Sequence, residues 1–243
     1  LSFGFPKPGL KVYSPDGKLL HSMGKARSGG SGPWDMDTLA HSTEIAVDGN
    51  GLIWVAEALH PRRVSVWDPK LEKCVREYFG PTHYGASGAV INPRDPDLVI
   101  AEGCEFRINP RTGRATMLGI VAIPEIPQAA RFCDGPEGRE YLVGVYQGSS
   151  WNPRDPRRPK RIEIRERVGD GDYRLRASIK PEPAAKRTAF WADKNGDGKE
   201  QPEELSYLDV ALDSTLHHLR VISMNSDLTL YGYDASKKDG FMV

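Results

Sequence analysis

Punctuation by glycine and proline constrains this chain more than any other feature. Its 25 glycines and 19 prolines cut 243 residues into apolar runs of about five to eight residues, rich in Val, Ile, Tyr and Trp. Runs of that length suit strands, and no amphipathic helical pattern longer than about two turns competes with them. Residues 43–48, a turn at Gly49-Asn50-Gly51, and residues 52–57, 63–68 and 74–79 read as four antiparallel strands. The order then repeats: 88–92, a turn at 93–96, then 98–102, 105–109 and 115–120. A third pass runs through 129–132, a turn at 134–138, and 140–146, 161–168 and 173–179. The period is about 42 to 44 residues.

Four short strands per unit of this length predict an all-β chain built as a β-propeller, because each blade is a small twisted sheet that buries its faces only against neighbouring blades. Residues 9–13, the Ser14-Pro15-Asp16-Gly17 turn and 18–23 read as the outer hairpin of a preceding blade. Residues 219–224, 225–227 and 228–234 read as a later inner hairpin. The total is four to five blades' worth of strands in one domain spanning 1–243, expected to be incomplete at both ends. The start at Leu1 on a half-finished unit fits a processed piece of a longer protein.

Charge excludes a global field: 33 Lys plus Arg balance 33 Asp plus Glu, so attraction to nucleic acid or an anionic membrane would have to be local. No apolar run approaches the ~20 residues of a spanning helix, so no membrane insertion is expected. A hydrophobic fraction of 39% supports a real core. Cys74, Cys104 and Cys133 each sit in a strand-like run at wide spacing, which favours buried thiols over a disulfide or a metal site.

Within the first unit, Ile45-Ala46-Val47-Asp48-Gly49-Asn50-Gly51-Leu52-Ile53-Trp54-Val55-Ala56-Glu57, then His60 and Arg63-Val64-Ser65-Val66-Trp67-Asp68, resembles an NHL-type propeller repeat. That family has an apolar strand, an Asp-x-x-Gly turn, a strand ending in Val-Ala-Asp and a later Asn-His-Arg-Ile before an aromatic-Asp pair. Here Glu57 replaces the aspartate and Leu59 the asparagine, and the second and third units keep only the hairpins. The resemblance implies a functional face at the ends of the second strands: Glu57, with 58–62 following, Glu102 at the matching point of the second unit, and Tyr146 and Gln147 in the third. Glu57 and Glu102, with His60, are then the candidate catalytic residues, since two converging carboxylates could hold a cation or act as acid and base. Arg62, Arg107, Tyr146 and Trp151 are candidate ligand-binding residues. The structural alternative pairs each glutamate with an arginine of its own blade, such as Arg62 or Arg107, and makes His60 a packing residue. His217 and His218, adjacent on a strand, would face opposite ways, so the pair does not make a zinc site.

The stretch Asp193-Lys194-Asn195-Gly196-Asp197-Gly198, with Glu204 at the twelfth place, spells a calcium loop. Side-chain ligands would be Asp193, Asn195, Asp197 and Glu204, with the Lys199 carbonyl at the seventh place and Gln201 or water at the ninth. An Asn-Gly/Asp-Gly hairpin turn is the structural alternative. A strand-like flank at 188–191, Glu200 at the eighth place and Pro202 at the tenth argue against a paired EF-hand and for a lone Ca²⁺-binding staple.

Trp151 opens a proline-stiffened basic stretch, 151–161, that could grip a polyanion through Arg154, Arg157 and Arg158 or be a solvated excursion. Walker, GxSxG and HExxH motifs do not occur. The expected function is a non-catalytic, calcium-stabilised propeller module in a larger extracellular or periplasmic protein, binding a glycan or a protein. The alternative is a polysaccharide lyase-like or lactonase-like propeller enzyme with Glu57, Glu102 and His60 near its centre.

Overall fold

Strand-forming runs become strands in the computed structural model, which describes residues 9–27, 31–58, 60–80, 89–121, 126–147, 161–209, 219–225, 227, 229–234 and 239–242. Two compact units emerge: Leu1–Gly30 with Trp34–Ala86, and Ser31–Pro33 with Ser87–Val243. Among the described residues the only helical turns are short 3₁₀ segments, and no helix is long and apolar enough to cross a membrane.

In the first unit, β1 (Leu10–Tyr13) and β2 (Leu19–Met23) form an antiparallel hairpin. After β3 (Lys25–Ala26) the chain contributes β4 (Gly32–Pro33) to the second unit and returns as β5 (Thr38–Leu39), which lies parallel to β3. Then β6 (Ser42–Val47), β7 (Ile53–Glu57), β8 (Arg63–Asp68) and β9 (Lys73–Phe79) form a four-stranded antiparallel meander. The β6–β7 turn is set by its sequence: Asp48 Oδ1 accepts the N–H groups of Asn50 (2.8 Å) and Leu52 (3.0 Å), and Gly51 takes φ +80°, a conformation that costs glycine no Cβ clash. Alternation sends Ile53, Val55, Trp67 and Cys74 to one face, where they pack with Leu10, Met23 and Leu39.

In the second unit, β10 (Ala89–Ile91), β11 (Leu98–Ala101), β12 (Cys104–Asn109) and β13 (Arg114–Ile120) form the expected meander, and β4 adds a fifth strand beyond β13. Next come β14 (Ile126–Asp134), β15 (Glu140–Gln147), β16 (Arg161–Gly169), β17 (Asp172–Glu182), β18 (Arg187–Ala192) and β19 (Leu205–Leu208). These make one six-stranded antiparallel sheet, two strands more than the sequence predicts, because β17 runs on to Glu182 and turns straight back into β18. A three-stranded sheet of β20 (Leu219–Met224), β21 (Leu230–Asp234) and β22 (Asp239–Met242) completes the unit.

Within the six-stranded sheet, β15 is buried on both faces. Along β15, Tyr141 and Val143 join a cluster with Ile162, Ile164, Ile179, Met224 and Leu230, whereas the intervening Leu142 joins Ile100, Val121, Ala130 and Tyr173. Period-two alternation thus builds two cores from one strand. Cys74, Cys104 and Cys133 are buried free thiols, as expected, and burial pushes the Cys74 thiol up to about 11.

Close backbone contact supplements side-chain packing at one point. A Cβ on Gly119 would stand 2.4 Å from Gly171 Cα and 2.7 Å from the carbonyl oxygens of Gly171 and Gly32, all main-chain atoms that cannot swing aside. Gly119→Ala should therefore destabilise the protein by about 3 kcal/mol and lower its Tm by roughly 6–12 °C in a thermal melt. An unchanged Tm would refute this packing.

Candidate calcium loop and the neighbouring cleft

β18 delivers the chain to Asp193 and β19 takes it up again at Leu205, with Trp191 paired to Leu205. The twelve-residue loop is therefore a hairpin connection flanked by strands, which agrees with a lone loop rather than a paired EF-hand. Asx turns shape it: Asn195 Oδ1 accepts the Asp197 N–H (2.9 Å) and Asp197 Oδ1 accepts the Lys199 N–H (2.8 Å). Gly196 and Gly198 take φ values of +79° and +70°. Pro202 starts a single 3₁₀ turn, Pro202–Glu204, so no exit helix follows.

Glu204 closes the loop and is 4% exposed. Its Oε1 accepts the N–H groups of Lys194 (2.8 Å) and Asn195 (3.2 Å), and its Oε2 accepts the Trp191 indole N–H (2.7 Å). The sequence predicts a ligating carboxylate there; the structure gives it three N–H partners, because indole and amide donors converge where the hairpin pinches shut. Gln201 bridges two other expected ligands, accepting from Asn195 Nδ2 and donating to Asp197 Oδ2, both at 2.8 Å. Lys199 is exposed.

Asp193 is different. Its Oδ2 accepts from Arg176 Nη1 at 3.0 Å, while Oδ1 is buried and makes no well-formed hydrogen bond, the Gly196 and Gly198 N–H groups standing near the carboxylate. Burial opposes ionisation, yet the N–H dipoles of Gly198 and Gly196 and the Arg176 guanidinium hold the carboxyl below its ordinary value. Among the described residues no three His, Cys, Asp or Glu side chains stand together as a ready-made metal-ligand set. The donors the loop does offer are hard oxygens, which suit Ca²⁺ rather than a soft metal.

Beside the loop, β15 to β18 and Leu230 enclose a cavity of about 590 Å³. Its lining comprises the apolar Tyr141, Ile164, Ile179, Phe190 and Trp191 and the polar Arg139, Arg176, Ser178 and residues 193–196, with Ser178 and Trp191 on the sheet face opposite Ile164, Ile179 and Phe190. Ser178 is 2% exposed and its Oγ, like Asp193 Oδ1, makes no well-formed hydrogen bond. Arg176 is held by Glu166 Oε2 (2.7 Å) as well as Asp193, and Arg139 by Glu137 Oε2 (2.7 Å).

The resemblance-derived face resolves differently. Glu57 is wholly buried within the first unit: Oε1 accepts from Arg63 Nε (2.7 Å) and Ser65 Oγ (2.9 Å), Oε2 from Arg27 Nη2 (3.0 Å) and the Ala40 N–H (2.9 Å). Its arginine partners are Arg63 and Arg27, whereas Arg62 is exposed. Arg63, Ser65 and Trp67 alternate onto the buried face of β8, which puts Arg63 rather than Arg62 in reach. Arg63 also donates to Glu77 Oε2 (2.6 Å), and the guanidinium carbons of Arg27 and Arg63 lie 4.6 and 4.8 Å from the Trp34 ring centroid.

Glu102 belongs to the other unit and does not occupy the position Glu57 does. With Gly103 it forms the two-residue turn between β11 and β12, both residues at positive φ (+48° and +80°), whereas Glu57 ends a strand before a wider connection. Arg107 pairs with Asp95 (2.8 Å) and Asp170 (3.7 Å), not with Glu102. His60 is half-buried, and its carbonyl accepts from Arg27 at 3.5 Å. Tyr146 lies in β15 opposite Arg161. Trp151, the basic stretch 151–160, and His217 with His218 lie outside the described residues.

Two further carboxylates, Glu105 and Glu163, are wholly buried. Glu163 has a readable signal in Arg161-Ile162-Glu163-Ile164-Arg165, since i and i±2 share a strand face, and it accepts from both Arg161 and Arg165. Glu105 has none, because its partners Arg167, Gly171 and Tyr173 are more than 60 residues away.

No protein-family model and no curated protein matches the chain. Among solved structures it is similar to Kuenenia stuttgartiensis hydrazine synthase at 14% identity and a TM-score of 0.35, over 96% of this chain and 82% of that chain. A likeness this slight assigns neither fold nor chemistry.

Proposed function

We propose that this chain is a calcium-binding, non-catalytic binding scaffold of β-propeller type, part of an extracellular or periplasmic protein. One observation carries the reading: Asp193 Oδ1, at the first place of an oxygen-rich loop, is buried without a well-formed hydrogen bond. A cation there would satisfy it, with Asn195, Asp197, the Lys199 carbonyl and Gln201 as further oxygen donors and Glu204 as the loop's closing carboxylate. Such an ion cross-braces the β18–β19 hairpin, and calcium at extracellular concentration suffices for a weak site.

Consecutive antiparallel meanders, with β15 buried on both faces, support the propeller architecture. The four hydrogen bonds that engage both oxygens of Glu57 favour a scaffold over the lyase-like or lactonase-like alternative, since a carboxylate held this way is poorly placed to exchange protons with substrate. Glycan or protein remains the class of ligand.

Calorimetric titration with Ca²⁺ tests the metal. Wild-type protein should release or absorb heat with one-site stoichiometry, and Asp193→Ala and Asp197→Ala should abolish it. At ten times Kd the ion should stabilise the fold by about 1.4 kcal/mol. Equal heats in wild type and variants would remove calcium from the reading.

A further inference from the structure

We propose that the Asn50-Gly51 turn between β6 and β7 is a site of spontaneous covalent modification, at which Asn50 loses its amide to become aspartate or isoaspartate, while Asn195-Gly196 is held against the same reaction. Water is the only co-reactant. The Gly51 main-chain nitrogen, shedding its proton, attacks Asn50 Cγ; Nδ2 leaves as ammonia and a five-membered imide closes. Water then opens either imide carbonyl, giving an aspartate, or an isoaspartate whose main chain runs through the former side chain. Nothing is oxidised or reduced.

Sequence narrows the candidates first. Of the six asparagines, Asn92, Asn109 and Asn152 precede proline, whose nitrogen has no proton to shed, and Asn225 precedes Ser226, whose Cβ crowds the attack. Asn50 and Asn195 alone precede glycine.

Structure separates these two. Asn50 and Gly51 are both exposed, and among the described residues the Asn50 side-chain amide makes no hydrogen bond. A Cβ on Gly51 would meet nothing within 4 Å, so the approach is open. One bond guards the nucleophile: the Gly51 N–H donates to the Asp48 carbonyl at 3.0 Å. That bond lies at the tip of a hairpin whose β6 arm is a sheet edge, exposed from Thr43 to Val47 and paired with β7. No residue of β6 belongs to the core cluster of the first unit, so the turn can open locally without unpacking it.

Asn195 is held at all three reacting groups. Its Oδ1 accepts the Asp197 N–H (2.9 Å), its Nδ2, the leaving group, donates to Gln201 Oε1 (2.8 Å), and the Gly196 N–H stands near the Asp193 carboxylate. Two side-chain hydrogen bonds must break there that Asn50 does not make, which slows Asn195 about tenfold or more. The product matters at residue 50. Asp48 Oδ1 accepts the N–H groups of both Asn50 and Leu52, and an isoaspartate inserts one more main-chain carbon between them.

The test follows the full chain by mass-spectrometric peptide mapping, folded in EDTA at mildly alkaline pH and, in parallel, unfolded in urea. EDTA keeps the outcome independent of calcium. The tryptic peptide 28–62 holds Asn50 as its single asparagine. In the folded chain we expect it to exchange NH for O at least about tenfold faster than the peptide with Asn195, and the two rates to converge in urea. Asn50→Gln should remove the exchange from peptide 28–62 over the same period. Equal rates in the folded chain would overturn the proposal. So would a rate ratio that urea leaves unchanged, or a folded chain whose Asn50 stays intact for as long as the unfolded chain takes to convert.

Discussion

Glu57→Ala should destabilise the first unit by about 3–5 kcal/mol, the cost of removing one partner from a buried ion network. Arg63 is then left wholly buried and Arg27 nearly so, each without its carboxylate, while the Ala40 N–H and the Ser65 hydroxyl lose an acceptor. The ion pair with Glu77 and the cation–π contacts with Trp34 still hold Arg63 in place, so the charge cannot escape to water without unpacking the sheet. Urea denaturation followed by tryptophan fluorescence reads the effect, since Trp34 and Trp67 both belong to this network. A midpoint within error of wild type would show that Glu57 is not the anchor described.

Glu105→Ala should be comparably severe in the second unit. Glu105 lies on β12 and binds three groups at the β16–β17 turn: Arg167 Nε (2.8 Å), the Gly171 N–H (2.5 Å) and the Tyr173 hydroxyl (2.5 Å). One carboxylate thus latches two sheets of the unit together. Burial and the neighbouring charge of Glu105 push the Tyr173 phenol above its ordinary value, so tyrosine remains the donor throughout the working pH range. We expect a loss of about 3–5 kcal/mol for Glu105→Ala, and a smaller loss for Glu105→Gln, whose amide oxygen still accepts. Equal stability of Glu105→Ala and wild type in urea would disprove the latch. Coupling between Glu105→Ala and Tyr173→Phe in a double-mutant cycle would apportion it.

The sheet order of each meander was legible in the sequence because short, strongly alternating runs between Gly, Pro and Asx punctuation leave few other options. β8 illustrates it: Arg63, Ser65 and Trp67 face inward. What escaped was long-range or very short. β3, β4 and β5 hold two residues each and carry no period at all. β18 read only as the flank of a loop and β19 was not read at all, since nothing local says that β17 will continue through Pro181.

The candidate sites divide in the same way. The candidate calcium loop was readable because its oxygen donors lie within twelve residues of one another. The Arg176–Asp193 ion pair was not, because it needs the register of β17 against β18. Glu102 was misplaced by assuming that matching strands end alike; a two-residue turn at positive φ follows β11, a wider connection β7. Arg62 was favoured over Arg63 without applying the strand's own alternation.

The smallest strand has the longest reach in time. Gly32 and Pro33 are made about 85 residues before their partners Ile120 and Gly119. At roughly 5–20 residues per second, that is a wait of about 4–17 s during synthesis. Throughout that interval the β4 edge has no strand to meet, while all of β5 to β9 is already available to fold. The second unit can therefore finish its five-stranded sheet only after the first unit has had its opportunity to form, which gives this chain a built-in order of assembly.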